Sequence, residues 1–84
     1  MGYARNLASM QPGQRGIVAG IHGGLGVTKR LDAMGIRPGV AVAKVTGQFF
    51  GGPVVVQVGN TRVAVGSGIA RKIIVETKTP QEKQ

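Results

Sequence analysis

The stretch RLDAMGIRPG, residues 30–39, decides how this chain folds, because it predicts one short helix with a sharply defined end. Three apolar residues, Val27, Leu31 and Met34, are spaced at i, i+4 and i+7 and therefore share one helix face. A helix of about two turns is not stable alone in water. We therefore expect this helix to be held by packing against the rest of the protein.

The residues after the helix predict where it stops. Gly35 stands where a left-handed residue commonly ends a helix, and Ile36 would then contact Leu31 as the apolar pair that accompanies such a cap. Pro38 prevents the helix from resuming, and the Pro38-Gly39 pair turns the chain. Leu31, Gly35, Ile36, Pro38 and Gly39 are therefore interpreted as a structural motif.

Outside this motif the sequence alternates between valine-rich runs and glycine-containing turns, which predicts a mostly β protein. In the first run, Arg15, Ile17, Ala19 and Ile21 have the same parity, and we expect their side of the strand to face the core. The five predicted strands cover residues 15–21, 40–46, 53–58, 61–66 and 73–78.

Two local signals complete this topology. Gly59-Asn60 suits a tight hairpin, and Ser67 is a candidate cap for a short helical turn. Short valine-rich strands with tight turns favour a small closed or half-closed barrel, because closure removes exposed strand edges. We expect one domain over residues 1–78 and a polar tail over residues 79–84.

The charge of the chain is strongly positive. Eleven Lys and Arg against three Asp and Glu give a formal net charge of +8. Such a charge favours an acidic partner: nucleic acid, an acidic protein face or anionic lipid headgroups. The cations are scattered and form no block of five, so a solvated basic surface is an equally good interpretation.

The composition also indicates where the protein works. The chain has no cysteine, which excludes a disulfide frame and a thiolate metal site. It has no run near the ~18 apolar residues that a membrane span needs, and its N terminus lacks the apolar core of a signal peptide. We expect a cytoplasmic protein.

Little in the sequence supports catalysis or metal binding. The chain contains a single histidine, His22, and three carboxylates, Asp32, Glu76 and Glu82, with none of them near His22 in sequence. A nucleophile needs a base and the base needs an orienting group, while zinc or iron needs several converging ligands. We therefore predict no enzymatic activity, no cofactor and no metal site, and we interpret His22 as a turn residue.

An aromatic pair stands in the loop predicted at residues 47–52. Phe49 and Phe50 are adjacent, and in extended backbone neighbouring side chains point to opposite sides, so at least one is expected to be exposed. Exposed large apolar groups tend to mark an interaction surface. The alternative is a loop that folds back and caps the barrel.

These motifs together resemble the ferrous iron transport protein A family, FeoA. The family signature, an Arg-Leu pair, a Met or Leu before Gly, then Ile or Leu and a later Gly, is matched by residues 30–39. The Gly-Gly-Pro of residues 51–53, Ala70 and the Ile-Ile-Val of residues 73–75 extend the resemblance. It covers residues 7–76.

The resemblance implies an all-β fold, an SH3-like β-barrel of about five strands with one short helix inserted after the first strand. It also implies a cytosolic accessory protein of the ferrous iron transporter FeoB, whose cytosolic part contains a GTP-binding domain. The protein would then reach the membrane through FeoB only, and self-association is left open. FeoA-like domains also end metal-dependent repressors, but no helix-turn-helix precedes this domain, so we expect the free-standing form.

The resemblance gives the helix a task. Lys29 and Arg30 would be presented on its outer side, next to Met34 at its end. Together with Phe49 and Phe50 they are predicted to form a docking face for FeoB.

Two alternatives stay open. Arg30 could brace Asp32 within its own helix instead of pairing with a carboxylate of the partner. The protein could also be a basic SH3-like module that binds nucleic acid, although three aromatic residues offer little surface on which bases can stack. The strong positive charge and the QFFGGP loop both depart from the family pattern.

Overall fold

The computed structural model describes residues 2–45 and 52–78. Within these ranges the strands are Tyr3–Asn6 (β1), Arg15–Ile21 (β2), Ala41–Lys44 (β3), Val54–Val58 (β4), Thr61–Val65 (β5) and Ile73–Thr77 (β6). The nine-residue helix Leu25–Ala33 (α1) connects β2 to β3, the short helix Ser67–Ala70 (α2) connects β5 to β6, and a 3₁₀ turn, Leu7–Ser9, follows β1. The predictions for Phe49, Phe50 and the tail 79–84 lie outside the described residues.

The strands form an antiparallel sheet in the order β1-β6-β2-β3-β4-β5. Buried side chains from five of these strands and from both helices belong to a single cluster, so the sheet curls around one core. Over the described residues β1 and β5 end the sheet, which leaves the barrel half-closed. The core residues are Leu7, Met10, Val18, Leu31, Ile36, Val42, Val54, Val56, Val65, Ala70, Ile73 and Val75.

The predicted fold class, a small all-β barrel with one short inserted helix, is confirmed. The prediction missed β1, so the described part of the chain has six strands and α1 follows the second of them. The sequence of β1, Tyr-Ala-Arg-Asn, carries a weak β signal, and the strand forms by pairing with β6 near the other end of the chain. No helix in residues 2–45 or 52–78 has the length and apolar character to cross a membrane.

The predicted helix end is confirmed in detail. Gly35 adopts a left-handed φ of +87°, and its N–H donates to the carbonyl of Asp32 at 3.0 Å. The N–H of Ile36 donates to the carbonyl of Leu31 at 2.9 Å. These two bonds define a Schellman motif, and the side chains of Leu31 and Ile36 are both buried beside it.

The turn after the helix returns the chain to the sheet. Gly39 has a φ of +94°, and the N–H of Val40 donates to the carbonyl of Arg37 at 3.1 Å, which closes a turn with Pro38 at its first corner. The Gly39 N–H then donates to the Val18 carbonyl at 2.8 Å. The chain therefore enters β3 already hydrogen-bonded to β2.

The predicted inner face of β2 is wrong for Arg15, Ile17 and Ala19, which are exposed, whereas Ile21 packs against the core. Val18 is buried, whereas Ile17 is 46% exposed and Arg15 is exposed. The inward position next to Val18 is Gly16, where a Cβ would collide with Val75 Cγ1 and lie 2.6 Å from the Glu76 carbonyl oxygen. Glycine stands at this inward position because β2 and β6 approach closely there. The inward residues of β2 therefore do not form a series of large apolar residues that could be recognised in the sequence.

The second half of the chain follows the prediction more closely. Val54 and Val56 are buried and Val58 packs against the core, as their shared parity indicated. The hairpin at Gly59 is confirmed, with Val58 paired to the first residue of β5. Ser67 does not cap α2: Gly66 occupies the N-cap position and no side chain bonds to the free N–H groups there.

The helix end predicts the effect of adding a methyl group at Gly35. Gly35→Ala keeps the left-handed φ only at a steric cost, so we expect it to lower the free energy of unfolding by about 1–2 kcal/mol. Gly26→Ala is the matched control, because Gly26 lies inside α1 with open space around it and should raise stability by about 0.4–1 kcal/mol. Urea denaturation measures both, and equal effects would contradict this role of Gly35.

The close approach of β2 and β6 predicts a second effect. Gly16→Ala should lower the free energy of unfolding by about 1–3 kcal/mol, because the new Cβ meets backbone that cannot move aside. Gly20→Ala, on the same strand with nothing within 4 Å of its new Cβ, should change it far less. Thermal unfolding compares the two variants. An unchanged stability of Gly16→Ala would show that β2 and β6 can move apart at this point without lowering the free energy of unfolding.

A candidate docking surface on helix α1

The outer side of α1 carries exposed cations on a fixed helix. Lys29 and Arg30 are both exposed, and within residues 2–45 and 52–78 neither side chain forms a hydrogen bond or ion pair. Leu31, the next residue, is buried and anchors the helix to the core. The structure therefore brings Lys29 and Arg30 together on a rigid, solvent-facing surface.

A leucine on the same surface was not predicted. Leu25, the first residue of α1, is 71% exposed. At 100° per residue it projects opposite Val27 and Met34 and one turn before Lys29. The sequence did contain a sign of this position, because Leu25 does not share the spacing of Val27, Leu31 and Met34. If the helix includes Leu25, its side chain must then lie on another face.

Met34 has a more limited part in this surface than predicted. It forms the C-cap of α1, is half-buried and packs against the core. Its side chain is therefore only partly available to a partner. Phe49 and Phe50, the other predicted members of the face, lie outside the described residues.

The carboxylate on α1 is held by a residue that the sequence did not single out. Arg37 Nε lies 2.6 Å from Asp32 Oδ1, and both side chains are more than half exposed. The interpretation in which Arg30 braces Asp32 is therefore wrong, because Arg37 does so from beyond the helix end. This pair leaves Arg30 available to a partner.

Some of the positive charge of the chain has a structural task. Lys44 is 2% exposed, and its Nζ donates to the carbonyls of Ala8 at 2.8 Å and Met10 at 2.6 Å, which fastens the segment after β1 to β3. Burial, which removes the ammonium from water, lowers the pKa of Lys44 below its ordinary value. Arg62 Nε donates to Gln57 Oε1 at 3.0 Å.

Other cations face solvent without a side-chain partner among the described residues. They lie on β2, on α1, just after α2 and after β6. They are Arg15, Lys29, Arg30, Arg71, Lys72 and Lys78.

The potential metal ligands are not clustered in the part of the chain that the structure describes. Across residues 2–45 and 52–78, His, Asp and Glu side chains never gather in a group of three that could hold a metal ion. His22 is exposed in the loop between β2 and α1, and its backbone N–H donates to the Lys72 carbonyl at 2.7 Å. The interpretation of His22 as a connecting residue fits this position.

Comparison with known proteins places these features in a family. Residues 5–77 match the model of the FeoA domain. A provisionally named Fe(2+) transport protein A of Methanocaldococcus jannaschii is 37% identical over 70 residues, which cover 83% of each chain. The crystal structure of an iron uptake regulatory protein, FeoA, is 34% identical and superposes with a TM-score of 0.82 over 87% of this chain and 96% of its own.

A third similar structure carries a functional suggestion. Stenotrophomonas maltophilia FeoA, complexed with zinc, is 28% identical with a TM-score of 0.70, over 83% of this chain and 87% of its own. That protein is described as a prokaryotic SH3 domain protein and suggested to act as a bacterial ferrous iron transport activating factor.

The buried lysine predicts a dependence of stability on pH. Lys44→Met leaves the two carbonyls without donors and should lower the free energy of unfolding by about 2 kcal/mol at pH 7. Because the pKa of Lys44 is lowered in the folded protein, the unfolded chain binds more protons as the pH approaches 10.5, so the wild type gains stability in that window. Lys44→Met lacks this gain, and the gap between the two proteins should widen from pH 8 to 10.5.

Denaturant titrations at several pH values measure this gap. Lys72→Met is the control, because Lys72 is exposed and its substitution should change stability by less than about 0.5 kcal/mol at pH 7. A gap between wild type and Lys44→Met that narrows with rising pH would mean that attraction to the carbonyls outweighs the cost of burial.

Proposed function

This chain belongs to the FeoA domain family, and from that premise we propose that it is a cytoplasmic accessory protein of ferrous iron uptake that docks on the transporter FeoB through the outer face of α1. Its target there is the cytosolic part of FeoB with the GTP-binding domain. The names of its relatives, an Fe(2+) transport protein and a suggested transport activating factor, support this role.

The observation that carries the proposal is the combination of Leu25 with Lys29 and Arg30 on one helix. Leu25 lies one turn before the unpaired Lys29, and Arg30 lies about 100° further around the helix. This arrangement suits a partner site with an apolar pocket flanked by carboxylates. The apolar contact supplies affinity as it is removed from water, while the cations set orientation and speed the encounter. Phe49 and Phe50 are proposed to extend the apolar part of this face.

The way α1 is anchored supports docking by a preformed surface. Leu31 and Ile36 are buried on the inner side, and the Schellman bonds fix the end of the helix. A partner that binds α1 therefore does not need to order it, which lowers the entropic cost of association. The Asp32–Arg37 pair ties the helix to its following turn in the same way.

The proposed role is one of binding and not of catalysis. A reaction would need a positioned base and an orienting group, and among the described residues Asp32 lies on α1, Glu76 on β6 and His22 in the loop between β2 and α1. The chain would associate with the membrane only through FeoB. Its effect on iron uptake would then come from the change that docking makes in FeoB.

Charge reversal on α1 tests the docking face. Lys29→Glu/Arg30→Glu should weaken binding to the isolated cytosolic part of FeoB at least tenfold, because two attractive contacts become repulsive. Leu25→Asn should weaken it as well by removing the apolar contact, and Phe49→Ala/Phe50→Ala tests the loop separately. Biolayer interferometry with the immobilised FeoB domain measures each dissociation constant.

The control is Arg71→Glu/Lys72→Glu, which changes the charge by the same amount just after α2. If the control weakens binding as much as Lys29→Glu/Arg30→Glu does, only the net charge of the protein matters. If the α1 charge variant, Leu25→Asn and the Phe49→Ala/Phe50→Ala variant all bind like the wild type, the docking face is refuted. Pull-downs with nuclease at two salt concentrations add a second check. Recovery of salt-sensitive RNA or DNA in place of FeoB would favour the nucleic-acid module instead.

A further inference from the structure

A second surface lies on the outer side of the sheet, on different elements from α1. A groove of about 660 Å³ crosses β6, β2, β3 and β4. Its volume falls within the range of about 300–1,000 Å³ that ligand sites occupy. The side chains that give it chemical character are Arg15, Ile17, Ala41, Ala43, Glu76 and Lys78.

Strand register arranges one cationic row across this groove. Arg15 pairs with Ala43, Ala43 with Gln57, and Gln57 with Arg62. Lys78 follows β6 on the side of Arg15, beyond the last registered pair of β2 and β6. Within the groove the row therefore runs from the cations Lys78 and Arg15 across the small side chain of Ala43 to Gln57. Arg62, which donates to Gln57, lies beyond the groove-lining residues.

A second row lies beside the first. Glu76 pairs with Ile17, and Ile17 with Ala41. Ile17 is 46% exposed although its strand contributes to the core. Its neighbour Ala41 has a small side chain and leaves room above the sheet. The two rows are two residues apart along the strands, about 7 Å.

The charges in the groove are unbalanced. Arg15 and Lys78 are exposed and have no side-chain partner among the described residues, and Glu76 is the acidic side chain among the lining residues. An anionic ligand would meet two free cations and one carboxylate. The carboxylate stands in the apolar row, about 7 Å along the strand from the cationic row.

We propose that this groove binds a short extended acidic segment of a partner protein, with an acidic–apolar–acidic pattern. Side chains of an extended chain alternate between two sides, so carboxylates at i and i+2 would face the cationic row while the apolar residue at i+1 lies over Ile17 and Ala41. The small residues of the floor let the peptide backbone come close. Three strand spacings of about 4.8 Å hold about four extended residues.

The same features disfavour a nucleic acid in this groove. Its lining residues include no aromatic side chain on which a base can stack, and Glu76 would repel a phosphate backbone. The apolar row would gain nothing from a phosphate chain. An acidic peptide uses both rows, and the inference does not rest on the proposed docking to FeoB.

The probe is a peptide labelled with fluorescein, Gly-Ser-Glu-Val-Glu-Gly with an amidated C terminus. We expect saturable binding by fluorescence anisotropy, and chemical shift changes of backbone amides confined to the groove-lining residues in the ¹⁵N-labelled protein. Arg15→Gln/Lys78→Gln should weaken binding at least tenfold. Arg71→Gln/Lys72→Gln removes the same charge outside the groove and should leave the dissociation constant within twofold.

Three outcomes would overturn the inference. The first is equal binding of the matched peptide with Gln in place of both Glu residues. The second is equal weakening by the two double variants, which would mean that only net charge attracts the peptide. The third is tighter binding of a labelled ten-nucleotide oligothymidylate to the same amides, which would assign the groove to nucleic acid. The test contains no transporter, so its failure and a failure to dock FeoB are separate results.

Discussion

The structure depends on one reversal of the chain, the left-handed residue at Gly35. The Schellman bonds stop α1 there, Ile36 returns at once to the core beside Leu31, and the turn at Gly39 bonds to Val18 of β2. In the seven residues between α1 and β3 the chain passes from a helix to a strand that pairs with the strand before the helix. The helix can therefore be inserted between β2 and β3 without separating them, and β4 and β5 extend the sheet from β3.

Local signals made the helix end and the β4–β5 hairpin predictable, because glycine and proline there act through their own backbone angles. β1 and the inner face of β2 were not predictable, since both depend on β6, whose pairs lie about 70 residues from β1 and 52 to 59 residues from β2 in sequence. The inward position 16 is a glycine because Val75 fills the space that a larger side chain would need. Of the candidate docking surface, Lys29 and Arg30 followed from the helix pattern, whereas Leu25 and the Asp32–Arg37 pair needed the three-dimensional arrangement.

The net charge of +8 describes this surface poorly. Lys44 donates hydrogen bonds to buried backbone carbonyls, Arg37 pairs with Asp32, and Arg62 donates to Gln57. These three cations are therefore engaged within the protein itself. Those left free are spread over several elements. At physiological salt, charges more than about 8 Å apart on the surface are largely screened. Specific binding must then come from places where free cations adjoin exposed apolar side chains, as on α1 and in the groove.

The groove is a consequence of how the core is packed. Glycine on the inner side of β2 allows β6 to approach, and this register leaves the isoleucine at position 17 on the outer side. The bulge between Val18 and Gly20 then turns Ile21 back against the core, so one strand sends apolar residues to both faces. Ile17 is not a member of the core cluster. Its side chain is held outward between Glu76 and Ala41 and beside the unpaired Arg15, so it is better explained by what it contacts outside the protein than by what it stabilises within.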